Sequence, residues 1–266
     1  MTDKPEMYSE HFASAFLDAS TVQAYQYRPP YSSQTFAILA SLLGDAPRCV
    51  LDVGCGTGFL ARPLLAWVDA VDAIDISNAM IESGQALPGG HDPRLRWIVG
   101  RVEDTPIDQL NPPYGLITAG DSVHWLDWEV ALPRFATLLT PNGCFAIIGN
   151  GQVPSSWDAA LQPVLSKYSI YGDLYKPINV IDELENRKLF KTIGSTRSEP
   201  ILFRQTIADY IESFHGRAGC ACGRMAPTAM RDFAKAARTI IAPFATSEHV
   251  ELMTYATITW GKPLKA

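Results

Sequence analysis

Val50-Leu51-Asp52-Val53-Gly54-Cys55-Gly56-Thr57-Gly58 is the stretch whose reading decides the fold. Its first half is a short apolar run and its second half alternates glycine with other residues, so a buried strand leaves through a tight turn. Glycines at alternate positions let the backbone bend sharply and approach a ligand closely. A dinucleotide-binding turn needs glycine at its first, third and sixth places. Here Gly54, Gly56 and Gly58 alternate and Phe59 stands in the sixth place, which argues against NAD.

Outward from this turn, short apolar runs alternate with helical periodicity, the pattern of βα units feeding a parallel sheet. The runs are 49–53, 70–75, 95–99, 114–119 and 143–149. Residues 59–67, 77–85 and 128–139 carry apolar residues at helical spacing, and Pro141-Asn142-Gly143 supplies a closing turn. After Gly151 the rhythm changes: 157–168 and 228–241 read as helices, 201–204 and 250–260 as strands. In the last run Val250, Leu252, Thr254, Ala256, Ile258 and Trp260 share one face, as in a strand ending the same sheet. The expected fold is α/β, a doubly wound, mostly parallel seven-stranded sheet. Residues 151–244 are expected to form a helical lid insertion over the strand C-termini, where open α/β sheets bind ligands.

The 266 residues fit one large domain or a domain with a sizeable insertion, and 47% apolar against 19% charged residues suits a globular core. Lys and Arg total 22 against 28 Asp and Glu, a net charge of −6, so no general positive field exists to hold a phosphate backbone. No nucleic-acid partner is expected. Five cysteines, an odd number without secretory context, read as reduced thiols, and Cys220-x-Cys222 lacks a second pair at zinc spacing, so no metal is expected. Residues 1–12 are polar and acidic with no apolar stretch behind a basic cap. The longest apolar run, near 36–43, is too short to span a membrane. The expectation is a soluble, cytoplasmic protein without a membrane partner.

The acid followed by Gly-x-Gly-x-Gly between first strand and helix resembles the first motif of the class I S-adenosylmethionine-dependent methyltransferases. Tyr27-Arg28-Pro29-Pro30-Tyr31, His124-Trp125 and Trp260-Gly261-Lys262-Pro263 resemble a small-molecule branch related to methyltransferase type 11 and trans-aconitate methyltransferases. The resemblance covers nearly the whole chain and implies a Rossmann-like core over 41–150. Around it lie a helical cap segment over 1–40, a lid or substrate-binding insertion over 151–244, and a strand over 245–266 completing the sheet. It implies S-adenosylmethionine as cofactor, S-adenosylhomocysteine as product, and a place in secondary metabolism.

By that resemblance Gly54, Cys55 and Gly56 lie under the methionine part, and Asp52 orients the loop and the ammonium. Asp75 ends the second strand, 17 residues beyond Gly58, where a carboxylate can accept from two ribose hydroxyls, or else it serves as a helix N-cap acid. Ile76 packs on the adenine. Arg101 and Val102 stand where the family contacts adenine through a polar side chain and the next N–H. Arginine accepts no proton, so that contact falls to a backbone carbonyl, Glu103 or Asp104. Gly120 and Asp121 leave the fourth strand, where the reactive methyl is expected. Asp121 departs from the Gln or Ala associated with this branch.

Methyl transfer from a sulfonium is an in-line displacement, so alignment and desolvation carry much of the rate. A carboxylate acceptor needs no base, and Arg28, Arg217 or Arg224 would orient it. A phenol, amine or acidic carbon is helped by one. His124 is then the first candidate and Asp121 the second, against the alternatives that His124 packs on Trp125 and Asp121 simply contacts the cofactor. Tyr31, Trp125, Tyr171, His215 and Arg217 complete the candidate substrate wall, with Tyr168 and Tyr175 beside Tyr171. His215 is read in a lid loop made flexible by Gly216 and Gly219, or as a solvated histidine. The partner is a small molecule, and the chain a monomer or homodimer. A protein that binds S-adenosylmethionine without transferring methyl is the alternative function.

Overall fold

The computed structural model describes residues 4–44 and 47–265, so expectations at 1–3, 45–46 and 266 lie outside the described residues. Its strands are β1 (Cys49–Val53), β2 (Ala70–Asp75), β3 (Leu95–Val99), β4 (Tyr114–Gly120), β5 (Leu139–Gln152), β6 (Phe190–Arg197), β7 (Ile201–Thr206) and β8 (His249–Pro263). They form one open sheet in the order β3-β2-β1-β4-β5-β8-β6, with β7 also paired to β8. β1 to β5 run parallel, and β8 is antiparallel to β5. The order reverses between β1 and β4, so a crevice opens at their C-terminal ends.

β6 and β7 share one place in the sheet. Phe190–Arg197 pair with β8 from Pro263 to Thr257, and Ile201–Thr206 continue along β8 from Thr254 to His249. Pro200, without an N–H, falls in the break. Ser198 keeps the ladder going, its N–H donating to the Ala256 carbonyl and its hydroxyl accepting from the Ala256 N–H, both at 2.9 Å. Eight strands thus fill seven places, the expected doubly wound sheet.

Helices α1 (Glu10–Ala13), α2 (Ala19–Tyr25) and α3 (Ser33–Ser41) precede the sheet, and α4 (Ala61–Leu64), α5 (Asn78–Gln85) and α6 (Trp128–Leu138) interleave with its strands. Ser32 and Ser77 cap α3 and α5 by accepting from Thr35 and Met80 N–H groups. The sheet is buried on both faces: Leu51, Ile117 and Phe145 pack with Leu132 and Phe135 of α6, while Val50, Leu116 and Ile148 pack with Phe36, Leu39 and Leu64. Such two-sided burial is why these strands read as continuous apolar runs.

The remaining helices are α7 (Asp158–Tyr168), α8 (Val180–Asn186), α9 (Ile207–His215) and α10 (Pro227–Ile241). Trp157, Tyr210, Phe214, Phe233 and Ile241 build a cap core on Val250 and Leu252 of β8. Residues 151–244 are therefore not helical throughout, since β6 and β7 belong to the sheet. The expected helix over 59–67 contracts to α4. Beyond it Leu65, Ala66 and Trp67 N–H groups bond three residues back, to Arg62, Pro63 and Leu64, which tightens the chain into turns. The Pro141-Asn142-Gly143 turn is absorbed into β5 as a register irregularity opposite Tyr114 and Leu116. Among the described residues, no helix is long and apolar enough to cross a membrane.

Candidate active site

The glycine turn after β1 is held from two sides. Gly54 and Cys55 N–H groups both donate to the Ile74 carbonyl, at 2.9 and 3.1 Å, and Gly56 N–H donates to Asp75 Oδ2 at 2.8 Å. Gly54 has φ +64° and sits against Ser122, where a Cβ would come within 2.5 Å of that residue's own Cβ. Only glycine combines this conformation with this approach. Ser122 Oγ in turn donates to the Val53 carbonyl at 2.6 Å.

This turn floors a cavity of about 1280 Å³, part of it open to solvent. Asp75 and the 45%-exposed Ile76 stand at the tip of β2, with Gly100, Arg101, Val102 and Glu103 after β3 opposite them. Glu10, Phe16 and Leu17 of the N-terminal segment close one side, and Trp125 and Leu126 another. A partly exposed isoleucine beside an acid is a fitting surface for a nucleoside, with base on the apolar face and ribose on the carboxylate. Asp75 Oδ1 also accepts from Ser77 N–H at 2.8 Å, so each oxygen is fixed and keeps a lone pair for a hydroxyl.

A smaller recess, about 370 Å³ with the part open to solvent included, adjoins it, lined by Tyr25, Arg28, Tyr31, Asp52, Cys55, Gly120, Asp121 and Asn150, among others. Tyr25, Arg28, Gly54, Gly120 and Asp121 line both spaces. Asp52 is buried and accepts from Thr118 Oγ1 at 2.8 Å, and burial pushes its carboxyl up to about 7. Arg28 donates to Asp121 Oδ2 at 2.8 Å and lies 4.9 Å from the Tyr25 ring centroid. Asp121 has φ +51°, rare for a residue with a Cβ. It is held there by its own N–H donating to the Ile148 carbonyl and by Asn150 N–H donating to Oδ1 at 3.2 Å. Such over-determined strain marks functional turns.

Other expected residues fall elsewhere. Arg101 lines the cavity, but its guanidinium turns to Glu10, Glu103 and Asp104 and clasps the N-terminal segment across the opening. Glu103 lines the cavity as well, one oxygen accepting from Asp127 N–H at 2.8 Å. His124 lines neither space. Its ring lies 5.0 Å from Tyr8 and 4.6 Å from Trp125, and burial, with the Lys4 and Arg28 cations, pushes it down to about 3. Tyr171 packs on Phe12 and Tyr175, away from both spaces.

His215 is neither in a flexible loop nor solvated. It ends α9, only 2% exposed, with Nδ1 2.9 Å from the Cys220 carbonyl and its ring against Phe233. Arg217 remains exposed. Cys220 and Cys222 are buried free thiols pushed up to about 11, and no group of three metal-ligand types converges among the described residues.

Sequence reasoning passed over Tyr25, Asn150, Ser122, Glu10 and Phe16. Asn150, a polar side chain between two glycines at the C-terminal end of a sheet strand, carried a readable signal. Phe16 and Tyr25 did not, because an aromatic in a short helix reads equally as core.

This turn, crevice and acid define a class I methyltransferase arrangement. Residues 50–143 match the family described as methyltransferase domain, and the chain carries a domain of that class. A malonyl-[acyl-carrier protein] O-methyltransferase of Halalkalibacterium halodurans is 33% identical over 103 residues, 37% of this chain and 38% of that protein. An uncharacterized methyltransferase of Mycobacterium tuberculosis is 31% identical over 132 residues, 49% of this chain and 51% of its own length. The chain therefore spans about half the length, or less, of these curated relatives. Among solved structures, a protein of Anaeromyxobacter dehalogenans, provisionally assigned as a type II methyltransferase, superposes with TM-score 0.63 at 22% identity. The match covers 90% of this chain and 99% of that one. The phosphoethanolamine N-methyltransferase 2 of Haemonchus contortus, solved with phosphomonomethylethanolamine and S-adenosylhomocysteine, gives 0.53 at 16% identity, covering 95% and 59%.

Proposed function

We propose that the chain binds S-adenosylmethionine and transfers its methyl group to a small molecule. The observation that carries this reading is the continuity of the two spaces. Asp75, Ile76 and Val102 line a nucleoside-sized cavity, which narrows past Gly54 and Gly56 into a recess holding Arg28, Asp52 and Asp121.

When bound, the cofactor supplies a sulfonium-activated methyl. Asp75 accepts from the ribose, and Ile76 and Val102 cover the adenine. Glu103 is the polar group nearest to hand for the adenine amine, since Arg101 is turned to acids. Asp52 at the recess faces the ammonium, and Arg28, on the same wall, faces the methionine carboxylate. Gly120 and Asp121 then flank the methyl. An acceptor already ionised would take the methyl without a base, its new bond forming as the carbon–sulfur bond breaks, with S-adenosylhomocysteine as the product. Asp121 offsets the sulfonium charge. The depressed basicity of His124 and its place outside both spaces favour packing over proton transfer. Tyr31 in the recess and Trp125 in the cavity wall the acceptor.

The test incubates pure protein with methyl-labelled S-adenosylmethionine and a small-molecule extract. Label in low-mass product is expected. Calorimetric binding of S-adenosylhomocysteine without label in any fraction would favour a protein that holds the cofactor but transfers nothing.

A further inference from the structure

Arg217 is a cation near the site that this reaction leaves unused. It follows Gly216, whose backbone abuts α2 so closely that a Cβ there would lie 3.0 Å from Tyr25 Cα and 3.1 Å from the Ala24 oxygen. That contact fixes Arg217 relative to Arg28, three residues beyond Tyr25. Arg217 N–H donates to the Phe214 carbonyl at 3.1 Å, and its guanidinium carbon lies 4.9 Å from the Phe214 ring centroid. The guanidinium is therefore stacked and oriented, not a free surface chain.

Its electrical surroundings are unusual. The side chain is exposed, yet desolvation by the surrounding protein and repulsion from Arg28 both pull its pKa down, with Tyr210, Cys220 and Asp121 acting the other way. The guanidinium is thus open to solvent while lying beside Arg28 and the packed residues of the cap. Among the described residues no acid pairs with Arg217: the nearby Asp121 is taken by Arg28 at 2.8 Å. A cation so placed, oriented and unmatched is suited to an incoming anion.

We propose that Arg217 anchors a carboxylate of the acceptor, at a distance from the atom that is methylated. This rests on the methyl-transfer reading. Arg217 lines neither the cavity nor the inner recess, so an anion held there sits outside the place flanked by Gly120 and Asp121. The acceptor spans the two, its anionic end on Arg217 and its reacting end inward. One guanidinium fork matches one carboxylate through two parallel bonds. A phosphate dianion would leave a second charge unmatched, because Arg28 is engaged by Asp121 and, in the reading above, by the methionine carboxylate.

The experiment offers wild type, Arg217→Gln and Arg217→Lys a panel of small hydroxy, amino and dicarboxylic acids, each beside its neutral amide, with methyl-labelled S-adenosylmethionine. Label is expected in acids over amides. The Gln variant should raise KM for the acid about 10- to 100-fold, as loss of a charged hydrogen-bonded pair does. Its kcat should stay within about threefold and its calorimetric affinity for S-adenosylhomocysteine unchanged, with Lys recovering part of the loss. Equal use of acids and amides, or a Gln variant with the wild-type KM, overturns the anchor. Label appearing only in the neutral fraction of an extract overturns it and leaves methyl transfer standing, whereas no label in any fraction at saturating cofactor brings down both.

Discussion

Asp52 is 1% exposed, and its folded pKa of about 7 stands far above the ordinary carboxylate value of about 3.8. Between those values the folded chain holds a proton that the unfolded chain has released, so this residue lowers stability as pH rises through that window. His124 acts oppositely below about 6.5, where the unfolded imidazole is protonated and the folded one is not. The two effects oppose each other in wild type, so the readout is a difference. The unfolding free energy of Asp52→Asn minus that of wild type should grow from pH 4 to about 7 and level off beyond, followed by urea titration at each pH. A difference constant across that window would mean that Asp52 is ionised in the fold. Asp75 makes a complementary prediction in binding. Its carboxylate braces Gly56 and Ser77 and borders the cavity, so Asp75→Ala should weaken S-adenosylhomocysteine by about 10- to 100-fold in calorimetry. Unchanged affinity would remove this residue from the cofactor site.

The turn after β1 is the element on which both spaces depend, and its tolerance is testable through one pair of residues. Gly54→Ala must hold a Cβ at φ +64° and push it into Ser122, which should cost about 2–4 kcal/mol in urea unfolding. Adding Ser122→Gly should return the packing part and not the backbone part, and strictly additive losses would show that the two do not meet. The same element shows what was legible beforehand. The bounds of β1, β2 and β3 were readable because each is a short, mostly apolar run followed by polar or glycine punctuation, with β1 and β2 largely buried and β3 at the sheet edge. β6 was not, since Phe190–Arg197 forms a sheet edge with one buried residue and an exposed Ile193, so its sequence carries little period. The acid and glycines of the site were legible because chain geometry demands them locally. The Arg28–Asp121 pair was not visible as a pair, because it joins residues 93 positions apart through the fold alone.

At the scale of the molecule, the cavity is closed by a segment that has little structure of its own. α1 and α2 span four and seven residues, too short to persist in isolation. They are held by bonds reaching across the chain: Glu10 with Arg101, Ser77 Oγ donating to the Phe16 carbonyl, Arg224 donating to Ser14 Oγ, and the Phe16 ring against Tyr25 and Trp125. Exposed pairs such as Glu10 with Arg101 add little to stability, so local opening of residues 10–25 should cost much less than global unfolding. A ligand in the cavity touches this segment through Glu10, Phe16 and Leu17 and the sheet through Gly54 and Asp75, and so couples the two. At 100 times its Kd such a ligand stabilises the closed form by about 2.7 kcal/mol, or about 100-fold in the opening equilibrium. Hydrogen exchange with S-adenosylhomocysteine at that excess should therefore slow the amides of α2 by up to about two orders of magnitude. If the ligand binds by calorimetry and α2 exchanges at its ligand-free rate, the segment opens without releasing the ligand and does not serve as its cover.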